Sequence, residues 1–194
     1  MATRNIVTKE EPLLYKKSRP VKAFDARLHQ LLDDMAETLL SSGGVGLAAP
    51  QVGVLRRAVL VIETNVPEGE EEKLIELINP EIIESSGEQY GAEGCLSFPD
   101  EYGLVRRPMD VTVRAQDRNG DFFTVSGTGL TARCFCHEID HLDGVVFTTL
   151  CERMLTQEEL EQGPDRGAVS DACRFYGNAR LCRGLPSSDP RRRF

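Results

Sequence analysis

The run His137-Glu138-Ile139-Asp140-His141 constrains this chain more than any other stretch. Residues four apart lie one turn above each other on an α-helix, so both imidazoles can reach one cation, and the Glu after the first is placed to handle a proton. The chain has only three His, and two of them stand at this spacing. An amphipathic helix that carries two histidines by chance is the plainer reading; a hydrolytic metal centre is the sharper one. Such a centre needs three protein ligands and an open position for water, so the remaining sequence is read for a third donor.

A chain of 194 residues can bury a core and fits one catalytic unit with an irregular tail. We divide it into a catalytic domain over residues 1–157 and a C-terminal extension over 158–194, where Gly, Pro, Ser and Arg accumulate. The formal charge of -8 argues against a nucleic-acid binder, which needs a basic face for phosphates, so no specific nucleic-acid partner is expected. No apolar run approaches the roughly 18 to 20 residues of a bilayer span, and no membrane partner is expected. Residues 1–9 lack a signal-peptide core, which makes a cytoplasmic location the expectation. Six Cys without a CxxC pair, in a chain with ample core residues, read as reduced thiols rather than a disulfide framework.

Residues 1–22 read as an extended arm with turns at Pro12 and Pro20. Phe24, Leu28, Leu31, Leu32, Met35, Leu39 and Leu40 recur at helical spacing between Asp25 and Ser-Ser-Gly-Gly, which predicts a helix over 24–40. The uncharged, small-residue stretch 43–53 is either a flexible turn or a place where backbone approaches a ligand; it lacks the Lys-Ser/Thr and the glycine spacing of a nucleotide loop. Strands are expected at 57–63, 74–78 and 81–85, interrupted at Asn79-Pro80, with a solvated acidic loop at 67–73. Residues 91–99 read as a second irregular, Gly-flanked segment, and 111–116 with 122–126 as a hairpin about Asp117-Arg118-Asn119-Gly120. The His-bearing helix is placed at 130–142, ended by Asp143-Gly144. Short helices are allowed at 156–162 and 171–180.

Three plans compete for the third ligand. The metzincin plan puts a His at 147, where this chain has Phe147. A thermolysin-like plan takes Glu158, Glu159 or Glu161, which read more simply as a solvated mixed-charge face. A thiolate plan takes Cys95.

In this order, Gly44-Val45-Gly46-Leu47-Ala48-Ala49-Pro50-Gln51, Glu93-Gly94-Cys95-Leu96-Ser97 and His137-Glu138-Ile139-Asp140-His141 resemble the three signature motifs of the peptide deformylases. The resemblance covers residues 6–155. It implies an α+β fold with antiparallel sheets packed around a central metal-bearing helix and an N-terminal helix. It implies removal of the N-formyl group from the formylmethionine that starts nascent peptides, with release of formate. Metal ligands are then Cys95, His137 and His141; Glu138 is the base; the Gln51 amide and the Leu96 N–H hold the developing oxyanion. Val45, Gly46 and Gly94 lie where a formyl-methionyl peptide would bind as an added strand. The cofactor implied is one divalent metal ion, Fe(II), with Zn, Ni or Co able to replace it; a transient ribosome contact fits such a substrate. Glu93 is expected to pair with Arg107 and brace the Cys95 loop. Cys136 stands where the family commonly has Gln, and Cys134 lies one turn before His137; both read as core thiols, the alternative being a second thiolate near the metal. The tail beyond about Gln162 does not resemble the long C-terminal helix of many members, which leaves any role of that helix without a counterpart in this reading. Arg191–193 read as a solvated end, the alternative being a contact with ribosomal RNA.

Overall fold

The strand run at 58–63 is β-branched without polar alternation, and its surroundings explain why. The computed structural model describes residues 2–64, 66, 72–156 and 158–159. In it β1 (Gly46–Ala48), β2 (Ala58–Glu63), β3 (Lys73–Ser86), β6 (Asp110–Gln116) and β7 (Phe122–Thr128) form an antiparallel sheet in the order β1-β2-β3-β6-β7. Helices cover both faces of its first strands. Val59, Val61 and Leu77 point into the core beneath α2 (Gly129–Leu142), while Ala58, Leu60 and Ile78 point into the core beneath α1 (Ala26–Ser42). A strand buried on both faces gains from apolar residues at every position. A second antiparallel sheet, β4 (Gln89–Cys95), β5 (Phe98–Arg107) and β8 (Arg153–Met154), completes an α+β fold with two antiparallel sheets and two α-helices among the described residues.

The helices form where their periodicity and caps place them. Asp25 caps α1 by accepting from the backbone N–H groups of Arg27 and Leu28, a contribution of about 1 kcal/mol, and Gly43 closes the helix at φ 70°. Beyond α2, Gly144 turns the chain at φ 75°; a Cβ there would stand 2.6 Å from the Tyr15 carbonyl oxygen. The arm is tied down along its length and contains a 3-10 turn at Pro12–Tyr15. Its Val7 N–H donates to the Gln51 carbonyl at 2.8 Å, and Arg4 pairs with Asp34 at 3.0 Å.

Two expectations are overturned. Asn79-Pro80 does not interrupt the strand: β3 runs through it with a register shift between Ile78 and Glu81, Asn79 sitting at φ 51°. The Asn79 side chain accepts from Val21 N–H (2.8 Å) and donates to the Val21 carbonyl (2.9 Å), so the bulge docks the arm on the sheet. Residues 91–99 are not irregular. Gly91, Ala92, Glu93 and Gly94 pair with Val105, Leu104, Gly103 and Tyr102, and only Leu96-Ser97 form a turn. Strand β5 has no counterpart in the expectation. Small residues with low strand propensity extend here because larger ones do not fit: a Cβ on Gly91 would lie 3.2 Å from an Arg133 guanidinium nitrogen, and one on Gly103 2.8 Å from Cys151 Cβ. Stretch 43–53 resolves into β1 and a 3-10 turn at Ala49–Val52. Of the acidic loop only residues 72 and 73 are described; the expected helix at 171–180 lies outside the described residues, as do Cys173, Cys182 and Arg191–193. No helix among the described residues is long and apolar enough to cross a membrane.

Candidate metal centre

On α2 the four-residue spacing puts His137 and His141 side by side on the buried face, ring centroids 5.0 Å apart. The two-residue turn after β4 brings Cys95 to them across 46 residues of sequence, its Sγ 3.2 Å from His141 Nε2. The donor atoms of Cys95, His137 and His141 all lie within 4.8 Å of one another, and all three residues are buried. Phe147, where the metzincin plan wants a third His, instead stacks on the His137 ring at 6.1 Å between centroids. Glu159 of the thermolysin-like plan pairs with Arg153 on the surface, Glu158 is exposed, and Glu161 lies outside the described residues.

A buried carboxylate orients the first imidazole. Glu93 Oε2 lies 3.1 Å from His137 Nδ1, which leaves Nε2 as the ligating nitrogen. Arg107 grips the same carboxylate with two hydrogen bonds, 2.8 and 3.0 Å, and Arg133 adds a third at 2.9 Å. The expected Glu93–Arg107 pair is therefore present, but it is buried. Burial alone would raise the Glu93 carboxyl; hydrogen bonds from His137 and Arg107 and the Arg107 charge outweigh it and hold it well below the usual range. Breaking such a buried pair costs about 3 to 5 kcal/mol, because the remaining charge has no solvent. Arg133 and Asp140, which binds Arg107 at 2.6 Å, were not singled out by sequence. Arg133 stands four residues before His137, so the helical period that exposed the His pair also carried this signal.

Glu138 reaches the same space from the next position on α2. Burial pushes its carboxyl up to about 7, and its Oε2 is buried with no hydrogen-bond partner. Strand β1 passes directly over it. A Cβ on Gly46 would stand 2.5 Å from Glu138 Oε1 and 2.6 Å from Cys134 Sγ, contacts that real Cβ atoms do not make. Gly46→Ala should therefore displace the carboxylate and lower kcat by about 100-fold, the scale of an ångström-sized misplacement, with the midpoint of thermal unfolding also reduced. A variant with wild-type formate release would show that Gly46 does not set the Glu138 position. Gln51 is oriented as firmly: its Oε1 accepts the Ala48 N–H at 2.8 Å, so its Nε2 must be the end facing Cys95 Sγ (3.4 Å) and Ser97 Oγ (3.4 Å). Leu96 occupies the turn beside Cys95; Val45 immediately precedes β1, Gly46 opens β1 and Gly94 lies on β4.

The donor set suits a divalent cation of borderline softness. A thiol and two imidazoles, all buried, bring their donor atoms within 4.8 Å of one another, and Glu138 Oε2 is buried without a partner, a condition that costs about 1 to 3 kcal/mol. Burial and the His137 charge push His141 toward its neutral form, the form a ligand needs. Burial also lowers His137, but hydrogen bonds with Cys95 and Glu93 outweigh it and raise the ring's affinity for a second proton. A divalent cation would displace that proton. Cys134 and Cys136 are not in this donor cluster; both pack in the core beneath α2, where burial raises their thiols, Cys136 to about 11.

An α+β scaffold that gathers a thiol, two imidazoles and a buried carboxyl around one point defines the class of metal-dependent hydrolases. The family model of polypeptide deformylase matches residues 3–156, and the chain belongs to that family. It is 50% identical over 171 residues to the peptide deformylase of Caldicellulosiruptor bescii, covering 88% of this chain and 99% of that one. Its fold superposes on a peptide deformylase from Legionella pneumophila with a TM-score of 0.71 at 40% identity, over 81% of this chain and 89% of that one. A peptide deformylase from Ehrlichia chaffeensis gives 0.73 at 36% identity, over 82% and 92%. The chain is accordingly an enzyme, a metal-dependent hydrolase that removes the N-formyl group from the N-terminal formylmethionine of newly made polypeptides and releases formate.

Proposed function

We propose that Cys95, His137 and His141 hold the metal and that Glu138, Gln51 and Leu96 carry out the deformylation. The observation that carries this assignment is the convergence of three donor atoms within 4.8 Å, beside a buried carboxylate without a partner. Helix α2 is then the central metal-bearing element, flanked by the two sheets, and α1 the N-terminal helix. Bound among these donors, the ion supplies Lewis-acid activation of water, weaker with a thiolate ligand than with three imidazoles, which puts more of the demand on the base. Glu138 takes the proton of the attacking water and returns it to the departing amine. As the formyl oxygen gains charge, the Gln51 Nε2 donor and the Leu96 backbone N–H stabilise it; one such donor is worth about 2.7 to 4 kcal/mol in a transition state.

Substrate binding follows from two sheet edges. Among the described residues β1 is paired only with β2, and β4 only with β5, so each leaves one edge for an incoming peptide. Val45, Gly46 and Gly94 would pair with the backbone of the nascent chain, giving affinity with little demand on its sequence. A cramped space beside Gln51 and Leu96 selects formyl, which has no side chain, over larger acyl groups. Fe(II) is the native metal in this reading, with Zn, Ni or Co able to replace it. The enzyme works in the cytoplasm in transient contact with the ribosome, without a membrane or sequence-specific nucleic-acid partner. Residues 1–157 form the catalytic domain and 158–194 a C-terminal extension, a division supported by the family match ending at residue 156.

Protein prepared without oxygen and loaded with iron or nickel should contain one metal per chain and release formate from formyl-Met-Ala-Ser. A stoichiometrically loaded enzyme that releases no formate would remove the assignment.

A further inference from the structure

Away from the metal centre, a half-open cleft of about 760 Å³ lies where the N-terminal arm crosses the start of α1, and it shares no lining residue with that centre. Its rim is basic. Arg19, Lys22, Arg27 and Arg56 are exposed, and none of them makes an ion pair among the described residues. This clustering is not the pattern of the surface as a whole. Only Lys16 and Lys73 share that condition among the described Lys and Arg; the rest, including Arg4 on the same cleft, are paired with carboxylates. Asp25 is the one carboxylate lining the cleft among the described residues, and its Oδ1 is taken up by the Arg27 and Leu28 N–H groups.

The backbone holds two of these cations side by side. Arg19 and Arg56 form a β-bridge, flanked by Arg19 N–H to Leu55 carbonyl at 3.2 Å and Arg57 N–H to Arg19 carbonyl at 3.0 Å. Like charges on neighbouring strands repel, and a chain with a formal charge of -8 has carboxylates enough to neutralise them. A bound anion would relieve that repulsion. Guanidinium groups match phosphate oxygens two at a time, and the volume is that of a small-molecule site. Among the described residues the lining contains no aromatic ring on which a base could stack; its floor is aliphatic, from Val21, Leu28 and Leu31. Recognition would rest on the phosphates themselves.

We infer that this cleft binds consecutive phosphate groups, with Arg19 and Arg56 as the principal contacts and Lys22 and Arg27 completing the rim. Such phosphates occur in a free nucleoside triphosphate and along a single RNA strand, and affinity separates the two sources. Calorimetric titration of the full-length, metal-loaded enzyme with tripolyphosphate, a nucleoside triphosphate and a 12-nucleotide single-stranded RNA should show saturable binding. Arg19→Ala with Arg56→Ala should weaken it by roughly a hundredfold, about tenfold for each lost charge-assisted contact. Lys22→Glu, a single exposed change, should weaken it as well, whereas Lys73→Ala should not; formate release should be unchanged in all three. Tighter binding of the triphosphate identifies a free ligand. Tighter binding of RNA, with a salt dependence that flattens by about 0.7 per phosphate contact removed, identifies a strand. Absence of binding by all three probes, or binding unaltered in the Arg19/Arg56 and Lys22 variants, overturns the inference.

Discussion

Glu138→Gln should lower kcat for formate release by about 10² to 10⁴-fold, the usual contribution of a positioned general base, while the metal content stays at one per chain. The amide keeps the shape of the side chain and its place beneath Gly46, but it cannot accept the proton of the attacking water. The carboxyl it replaces is buried, raised to about 7 by that burial, and has an oxygen without a partner. A neutral group is easier to bury than a charge, so the metal-free variant should melt no lower than metal-free wild type. Metal quantification beside the kinetic assay separates chemistry from binding. Substantial activity with full metal occupancy would mean that another group moves the proton.

Cys95→Ala should strip the protein of its metal. It removes one of three donors and leaves two imidazoles on one helix, so affinity should fall by more than the 10- to 100-fold typical of losing an outer hydrogen-bond partner. Formate release should disappear with the metal. After dialysis against a weak chelator, the variant should retain far less than one metal per chain, whereas Glu159→Ala, which removes only a surface partner of Arg153, should retain all of it. The reverse result would return the chain to the carboxylate plan that the sequence left open.

The elements that were legible in the sequence are those whose geometry is local. The apolar period from Phe24 and the Asp25 and Gly43 caps located α1 to within two residues at each end, and the 122–126 strand paired across the Asp117 to Gly120 turn as expected. Strands β4 and β5 were illegible for a physical reason. Their extended form comes from pairing with each other and from close packing by Arg133 and Cys151, so a run as poor in strand formers as Gln-Tyr-Gly-Ala-Glu-Gly-Cys carries no local sign of it. The Asn79 bulge was misread because its stabilising partner, Val21, lies 58 residues away.

The sequence by itself determined that two imidazoles and a carboxyl would share one helix, because residues one turn apart meet whatever surrounds them. With its other motifs it also pointed to the family. Tertiary structure alone decided that Cys95 meets His141 at 3.2 Å, that Gln51 turns its amide nitrogen toward the centre, and that Glu93 is buried between Arg107, Arg133 and His137. Those contacts depend on strand register, on a two-residue turn and on the desolvation of charges. Each is set by residues far apart in the chain, and none leaves a period to read.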